Sequence, residues 1–102
     1  MSGLLGLLGL GARAGRLIIG VDGVRTALQQ GRCRCLVLAL DASPRAREKV
    51  ERLAAGRRVP MIVGPEAAVL GGALGRPPVM VVGVADEALA KGIARVGGRQ
   101  TQ

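Results

Sequence analysis

The chain has 102 residues, 49% of them hydrophobic, and 15 Lys+Arg against 7 Asp+Glu give a formal net charge of +8. This length and composition predict one basic domain over residues 1–102, with a packed core and a frayed tail at 99–102. Because His, Phe, Tyr and Trp are all absent, His-based catalysis, imidazole metal sites and aromatic platforms for base stacking are excluded, and no cofactor or metal is expected.

The first third of the chain predicts a helix, a short strand and a second helix. Residues 4–14 form a helix that is apolar over most of its surface, and Gly3, Gly6 and Gly9 recur along it as a stripe that favours close packing against another backbone. A strand follows at 17–19. The second helix begins after Gly20, and Gly31 is placed to end it in the left-handed conformation.

The middle of the chain predicts a doubly buried strand and a third helix. Residues 35–40 are continuously apolar, which is typical of a strand covered on both faces. Cys33 and Cys35 are too close in sequence for an unstrained disulfide, so we expect small, buried or half-buried strand residues in a reducing compartment. Ser43 and Pro44 predict a helix start that Gly56 closes. Its predicted inner stripe is Ala46, Val50, Leu53 and Ala54.

The last part of the chain predicts two more strands and two more helices. A third strand covers residues 59–63, where Pro60 suits its beginning or a sheet edge, and a fourth covers residues 79–84. Between them, a short helix after Pro65 is expected to bury Val69, Leu70, Ala73 and Leu74. A final helix from Asp86 turns Leu89, Ala90 and Ile93 inward and ends at Gly97 and Gly98. Four strands interleaved with five helices indicate an α/β domain of three layers.

The cations are unevenly distributed. Thirteen are arginines, and the first third of the chain holds only one acid, Asp22, against five of them: Arg13, Arg16, Arg25, Arg32 and Arg34. A guanidinium group is a planar fork that suits phosphate. This bias favours binding to a polyanion over a role in solubility alone.

The glycines match neither a dinucleotide fingerprint nor a Walker loop. The segment from Gly20 to Gly23 joins a strand to a helix and exposes the first amides of that helix, which can hold a phosphate. Asp22 can instead act as the N-cap or a first-turn acid at these amides, and this residue alone favours the capping role.

Collinear motifs along the chain resemble the L7Ae ribosomal-protein superfamily, and most closely its bacterial YlxQ-like branch. The matching segments are residues 7–17 with Gly20, then 31–39, 41–44, 59–60 and 70–75. The resemblance implies an α-β-α sandwich around a four-stranded mixed sheet. It also implies noncatalytic binding of structured RNA, typically a kink-turn with tandem sheared G·A pairs, and it makes ribosomal RNA and the ribosome candidate partners.

The resemblance also implies where RNA is bound. The implied positions are Gly20, Asp22, Gly23 and Thr26 at the second helix, Gly75, Arg76, Pro77, Pro78 and Val79 in the loop before the fourth strand, and Asp41 in a third loop. From the residues themselves, the candidate RNA site also includes Val21, in the exposed helix start, and Arg25, beside Thr26. At 22, 23 and 26 the family's kink-turn binders carry Asn, Glu and Lys. These departures argue against a strict kink-turn preference more than against RNA binding. Arg25, Arg13 or Arg16 can replace the missing cation if they border the same surface.

Two other kinds of function stay open from the sequence. One is a protein-interaction or assembly component whose basic surface binds an acidic partner, and the other, less favoured, is an enzyme. Residues 3–12 fall well short of the roughly 20 apolar residues that a membrane span needs. We therefore expect a cytoplasmic monomer without membrane contact.

Overall fold

A computed structural model of the chain describes residues 2–96, with the side chain of residue 2 excepted, so Gly97, Gly98 and the expected tail lie outside the described residues. Over these residues the chain forms, in order, α1 (Ser2–Arg13), β1 (Leu17–Ile19), α2 (Val21–Gln29), β2 (Cys35–Leu38), α3 (Pro44–Gly56), β3 (Met61–Val63), α4 (Ala67–Ala73), β4 (Val81–Val84) and α5 (Glu87–Val96). The predicted number and order of elements are confirmed. No helix of this described part has the length and apolarity needed to cross a bilayer.

The sheet has the strand order β1-β4-β2-β3 and is mixed, as expected. Strands β2 and β3 are parallel, and β4 runs antiparallel to both β1 and β2. As a result β1, β2 and β3 all end where β4 begins. We call this side of the sheet the Gly20 end, because the amide of Gly20 donates to the carbonyl of Val81 there. The other side is the Arg34 end, where the amide of Arg34 donates to the carbonyl of Val84.

Two apolar clusters lie on the two faces of the sheet and give the three layers that were predicted. Side chains of β2 alternate between them, since Cys35 and Val37 join one cluster while Leu36 and Leu38 join the other. Helices α1, α4 and α5 cover the first face and helices α2 and α3 the second. This alternation explains why the strand is apolar at every position.

Helix α3 begins as predicted and ends differently. Ser43 Oγ accepts a hydrogen bond from the Ala46 amide at 3.1 Å, and Pro44 is the first helical residue. The helix includes Gly56, and the residue with the left-handed conformation is Arg58, with φ of 56°. The prediction that Gly56 closes the helix was therefore wrong. The Val59 amide donates to the Ala54 carbonyl and completes the helix end around Arg58.

Only part of the predicted glycine stripe of α1 packs against another element, at Gly3, where a Cβ would lie 3.6 Å from Val96 Cβ. A Cβ built at Gly6 or Gly9 would have no heavy atom within 4 Å apart from its chain neighbours and the nearby backbone of α1. The close approach occurs at Gly11, where a Cβ would lie 2.6 Å from Leu89 Cδ2 and 2.9 Å from Leu17 Cδ2. A three-residue spacing drifts around a helix with 3.6 residues per turn, so the stripe leaves the packed face.

Three strands are shorter than predicted, and α4 buries a different face. Strand β2 ends two residues earlier than predicted, at Leu38, and β3 and β4 begin two residues later, at Met61 and Val81. In α4 the buried residues are Ala67, Leu70 and Gly71, while Leu74 is half-buried. Burial of Val69 and Ala73 was predicted wrongly, because both are exposed.

Candidate nucleic-acid interface

The turn from β1 into α2 exposes the start of α2. Gly20 has φ of 100°, a conformation that L side chains rarely adopt, and its carbonyl accepts the first helical hydrogen bond from Val24 at 3.1 Å. The N-cap residue is Gly20 itself, which has no side chain that could cap the helix. Asp22 is exposed in the first turn and does not act as the N-cap, which corrects one of the two roles considered for it. The amides that precede Val24 are therefore available at the positive end of the helix dipole.

Gly23 occupies the third helical position, where a side chain has little room. A Cβ there would lie 3.0 Å from Ile18 Cγ2, because α2 packs closely on β1. The resemblance noted above implies a glutamate at this position in kink-turn binders. In this chain the position serves close packing of α2 on β1.

The loop before β4 folds back on the end of α4. Gly75 has φ of 67°, and the Arg76 amide donates to the Gly71 carbonyl at 2.8 Å. A Cβ at Gly71 would lie 2.1 Å from the Pro77 carbonyl oxygen, so only glycine fits beneath this loop. The Val79 amide donates to the Ala67 carbonyl at 3.0 Å and fixes the loop at its other end.

The structure brings the Gly20 turn and this loop together, because β1 and β4 are neighbours in the sheet. A shallow cavity of about 350 Å³ lies between them. Its lining residues are Ile19, Gly20, Val21, Arg76, Pro77, Pro78, Val79 and Met80. The walls are mostly aliphatic, and Arg76 supplies the one cation among them. We call this site the candidate cavity.

Asp41 also lies at the Gly20 end, but its carboxylate has a structural partner. Asp41 Oδ1 accepts a hydrogen bond from the Ala67 amide at 2.8 Å, so it caps α4 from the loop that follows β2. Next to it, Leu40 is 66% exposed and Met80 is 40% exposed, and the Ala39 amide donates to the Met80 carbonyl. Sequence reasoning placed Leu40 and Met80 inside strands and missed this apolar rim, which only the strand ends reveal.

Arg25 lies in a groove between α2 and α3, further along α2 than the cavity. Glu48, Lys49, Arg52 and Leu53 line the groove with it. The Arg25 Nε atom is buried without a hydrogen-bond partner. Thr26 is exposed on the following position of the helix. These two residues are not among those that line the candidate cavity.

Arg13 and Arg16 are not brought to the candidate cavity. The Ala85 amide donates to the Arg16 carbonyl at 2.9 Å, which places Arg16 at the Arg34 end of the sheet. Arg16 and Gly20 are about 13 Å apart along β1, at roughly 3.3 Å per residue. Arg13 ends α1 on the same side as Arg16. Both arginines are exposed, and they border a surface different from the one expected.

Acids and cations are mixed around the candidate cavity. Asp22, Asp41 and Glu66 lie in loops or first turns there, against Arg76 and Arg45. The cavity therefore lacks the surrounding guanidinium groups that the sequence suggested. Shape and backbone amides, more than charge, distinguish this site.

The two cysteines are buried free thiols, as predicted. Burial raises the pKa of Cys35 to about 12, and burial also raises the pKa of Cys33. Cys33 Sγ donates to the Cys35 carbonyl at 3.1 Å. Both thiols are thus protonated near neutral pH and enclosed, so neither offers an exposed thiolate nucleophile.

Known proteins share this fold over nearly the whole chain. The chain is similar to a Bacillus halodurans protein of unknown function, with 29% identity, a TM-score of 0.92, and coverage of 97% of this chain and 100% of that one. It is also similar to a Giardia lamblia 15.5kD RNA binding protein, with 24% identity, a TM-score of 0.76, and coverage of 94% and 82%. No curated protein gives a significant match.

A family model confirms the resemblance that the motifs indicated. The model of the ribosomal protein L7Ae/L30e/S12e/Gadd45 family matches residues 4–93, which is most of the chain and includes both loops of the candidate cavity. The fold of the similar structures agrees with it. The chain therefore belongs to the ribosomal protein L7Ae/L30e/S12e/Gadd45 family.

Proposed function

We propose that the protein is a noncatalytic RNA-binding protein that recognises a bent, structured RNA, of the kink-turn type, at the candidate cavity. The carrying observation is that an uncapped helix start and an aliphatic cavity lie side by side at the Gly20 end. Membership of an RNA-binding family supports the RNA partner. A solved protein of the same fold is described as RNA-binding, which adds to that support. Ribosomal RNA is a candidate source of such a bent RNA.

The start of α2 supplies groups for an RNA backbone. The amides of Val21, Asp22 and Gly23 precede the first helical hydrogen bond, and within residues 2–96 the N-cap Gly20 offers them no side-chain acceptor. Such amides, together with the helix dipole, bind phosphate. Asp22 opposes this attraction, since its exposed carboxylate lies in the same turn. We therefore expect the amides at the start of α2 to contribute only modestly to RNA affinity.

The cavity walls supply a surface for an unpaired base. Ile19, Val21, Pro77 and Val79 present aliphatic groups, and van der Waals contact with a base face takes the place of aromatic stacking. Arg76 at the rim has the planar fork that suits a phosphate or a guanine edge. Because few groups can read base edges, discrimination comes from the fit of a bent RNA to the cavity.

The test compares a kink-turn RNA with an unbent duplex of equal length, in which the sheared G·A pairs are replaced by Watson–Crick pairs. We expect the kink-turn RNA to bind at least about tenfold more tightly at matched salt, since only the bent RNA can insert a base and its backbone together. Equal affinities would refute recognition of the bend.

A substitution in the first turn of α2 tests the site itself. Asp22→Asn removes the opposing charge, so it should tighten kink-turn binding several-fold while changing duplex binding less. Glu51→Gln, on the exposed face of α3, removes one charge far from the cavity and is the matched control. If both variants change kink-turn affinity equally, the effect is only net charge and the site is wrong.

A further inference from the structure

Three helices end at the Arg34 end of the sheet, and each is followed by arginine. Gly15 and Gly31 adopt the left-handed conformation after α1 and α2, with φ of 69° and 73°. The next residue in each case is an arginine, Arg16 and Arg32, whose amide closes the helix end at 2.8 Å. A hydrophobic residue commonly fills this position and packs on the last turn. Here an exposed cation occupies it instead.

The strand order aligns these arginines with others. Arg16 precedes β1, Arg34 precedes β2, and Arg58 lies just before β3. Neighbouring strands are about 4.8 Å apart, so Arg16 and Arg34 are about 10 Å apart with β4 between them, and Arg58 lies on the far side of Arg34. We call the whole set the arginine row. Its members are Arg13, Arg16, Arg32, Arg34, Arg57 and Arg58, all exposed.

The charge of the arginine row is only partly offset within the described chain. The nearby acids are Asp86 and Glu87, two carboxylates against six arginines, and both also have other partners. Asp86 Oδ2 accepts from the Leu89 amide at 2.8 Å, and Glu87 lies 3.7 Å from Lys91 Nζ. Of the ion pairs that the structure shows in residues 2–96, none includes an arginine of the row.

Helix stabilisation does not account for the arginine row. The helix dipole favours a cation within the last turn and its effect falls off beyond it. Arg13 is in the last turn of α1, but α2 and α3 have no basic residue there. Arg57 does serve the fold, since it donates to the Gln29 carbonyl. Arg32, Arg34 and Arg58 lie beyond the helices, where this effect is small.

The backbone conformation of Arg58 also argues against a structural role for the arginine row. It holds a left-handed φ of 56°, at a helix end where glycine would adopt the same conformation at lower energy. Gly15, Gly31 and Gly75 occupy the matching position after the other helices. The arginine therefore costs stability, which is typical of a residue kept for binding.

We propose that the arginine row binds an RNA backbone, as a second RNA surface at the opposite end of the sheet from the candidate cavity. This proposal rests on the proposed RNA-binding function but not on recognition at the cavity. The longest dimension of the molecule is 29 Å, so one protein holds two RNA segments close together. Guanidinium forks pair with phosphates in two-point contacts, and arginine is the residue best suited to them.

An acidic protein fits the arginine row less well. Protein interfaces have an apolar centre with large hydrophobic anchors. Of the exposed large hydrophobics in the described residues, Leu40, Val69 and Met80 belong to the Gly20 end, and Val96 packs near the start of α1 at Gly3. Leu10, on α1, is the only one whose element ends at the arginine row.

The first experiment measures binding of a plain RNA duplex to the full chain. Arg34→Gln combined with Arg58→Gly removes two charges of the row without touching Arg57. We expect the duplex affinity to fall about tenfold and the log–log salt slope to fall by about 1.5, at roughly 0.7–0.9 per phosphate contact. The control is Arg47→Gln with Arg95→Gln, two exposed helix positions outside the row. Equal losses in the two double variants overturn the proposal.

Stability separates binding from folding in this experiment. Because Arg58→Gly relieves a left-handed arginine, the urea midpoint of the test variant should stay the same or rise while RNA affinity falls. A lower midpoint with unchanged RNA affinity would instead make the row structural and overturn the proposal.

The second experiment tests whether two RNAs are held at once. A kink-turn RNA is immobilised, the protein is bound, and a labelled plain duplex is added. The wild type should capture the labelled duplex. Arg34→Gln/Arg58→Gly should still bind the immobilised kink-turn RNA but should fail to capture the duplex. Capture of the duplex by both proteins overturns the proposal. So does a result in which polyglutamate displaces the labelled duplex as well as unlabelled duplex RNA of the same total charge does. If the protein binds the kink-turn RNA no more tightly than the duplex, the proposal for the cavity fails. The difference in duplex affinity between the two double variants still tests the arginine row.

Discussion

Gly71 lies directly beneath the loop that forms one wall of the candidate cavity. Its missing side chain lets the carbonyls of Pro77 and Arg76 approach the end of α4, at 2.1 Å and 2.9 Å from where a Cβ would be. The atoms it would meet belong to backbone, which cannot rotate away. Gly72, the next residue, has nothing within 4 Å of its own Cβ position. The packing of the loop thus requires glycine at position 71, whereas no contact requires it at position 72.

Replacing these glycines separately tests that difference. Gly71→Ala should lower the free energy of unfolding by about 2 kcal/mol, since the loop must move to admit the methyl group. It should also weaken kink-turn RNA binding, because Pro77 lines the cavity. Gly72→Ala should raise the free energy of unfolding by up to about 1 kcal/mol, as alanine favours a helix. Urea denaturation checks both values, and similar shifts in the two variants would contradict the assigned contacts.

At the scale of elements, α4 shows how the loops at the Gly20 end support one another. The helix is seven residues long, too short to be stable alone. Asp41 reaches it from the loop after β2 and caps its first amide at 2.8 Å. The loop after the helix covers its other end at Gly71. An acid at position 41 thus supports the cavity through α4.

Two substitutions at position 41 separate a capping role from an RNA contact. Asp41→Ala should lower the free energy of unfolding by about 1 kcal/mol through loss of the cap. Asp41→Asn keeps an oxygen that can accept from the Ala67 amide, so it should restore most of that stability. Urea midpoints and kink-turn RNA affinities are measured together. If Asp41→Asn keeps its stability but loses RNA affinity, the carboxylate contacts RNA and the capping role is incomplete.

The sequence predicts elements better than it predicts contacts between them. Apolar runs and the Ser43 cap indicated every strand and the start of α3, since these signals are local. The buried face of α4 was not predictable, because Asp41 and Pro77 fix it from outside the helix. Arg16 is near Gly20 in sequence, yet β1 carries the chain across the whole sheet between them. The position of a cation on the surface therefore depends on strand direction, which a local pattern does not contain.

The whole molecule has a charge asymmetry between the two ends of its sheet. Six exposed arginines lie at the Arg34 end, against two acids that have other partners. The Gly20 end combines acids with an aliphatic cavity. The two proposals therefore place binding by shape and binding by charge on different surfaces. In the absence of RNA, this arrangement has a cost, because the arginines repel one another.

That repulsion should appear as a salt effect on stability. The Debye length falls from about 10 Å at 0.1 M salt to about 3 Å at 1 M, which spans the roughly 10 Å spacing between Arg16 and Arg34. Adding NaCl should therefore raise the free energy of unfolding of the wild type, and by less in Arg34→Gln/Arg58→Gly. Arg47→Gln/Arg95→Gln should keep more of the wild-type response, because it leaves the row intact. General effects of salt on apolar surface are common to all three proteins and cancel in the comparison. Identical salt dependences, measured by urea unfolding, would mean that the arginines are too far apart to repel and that the row carries no concentrated charge to attract RNA.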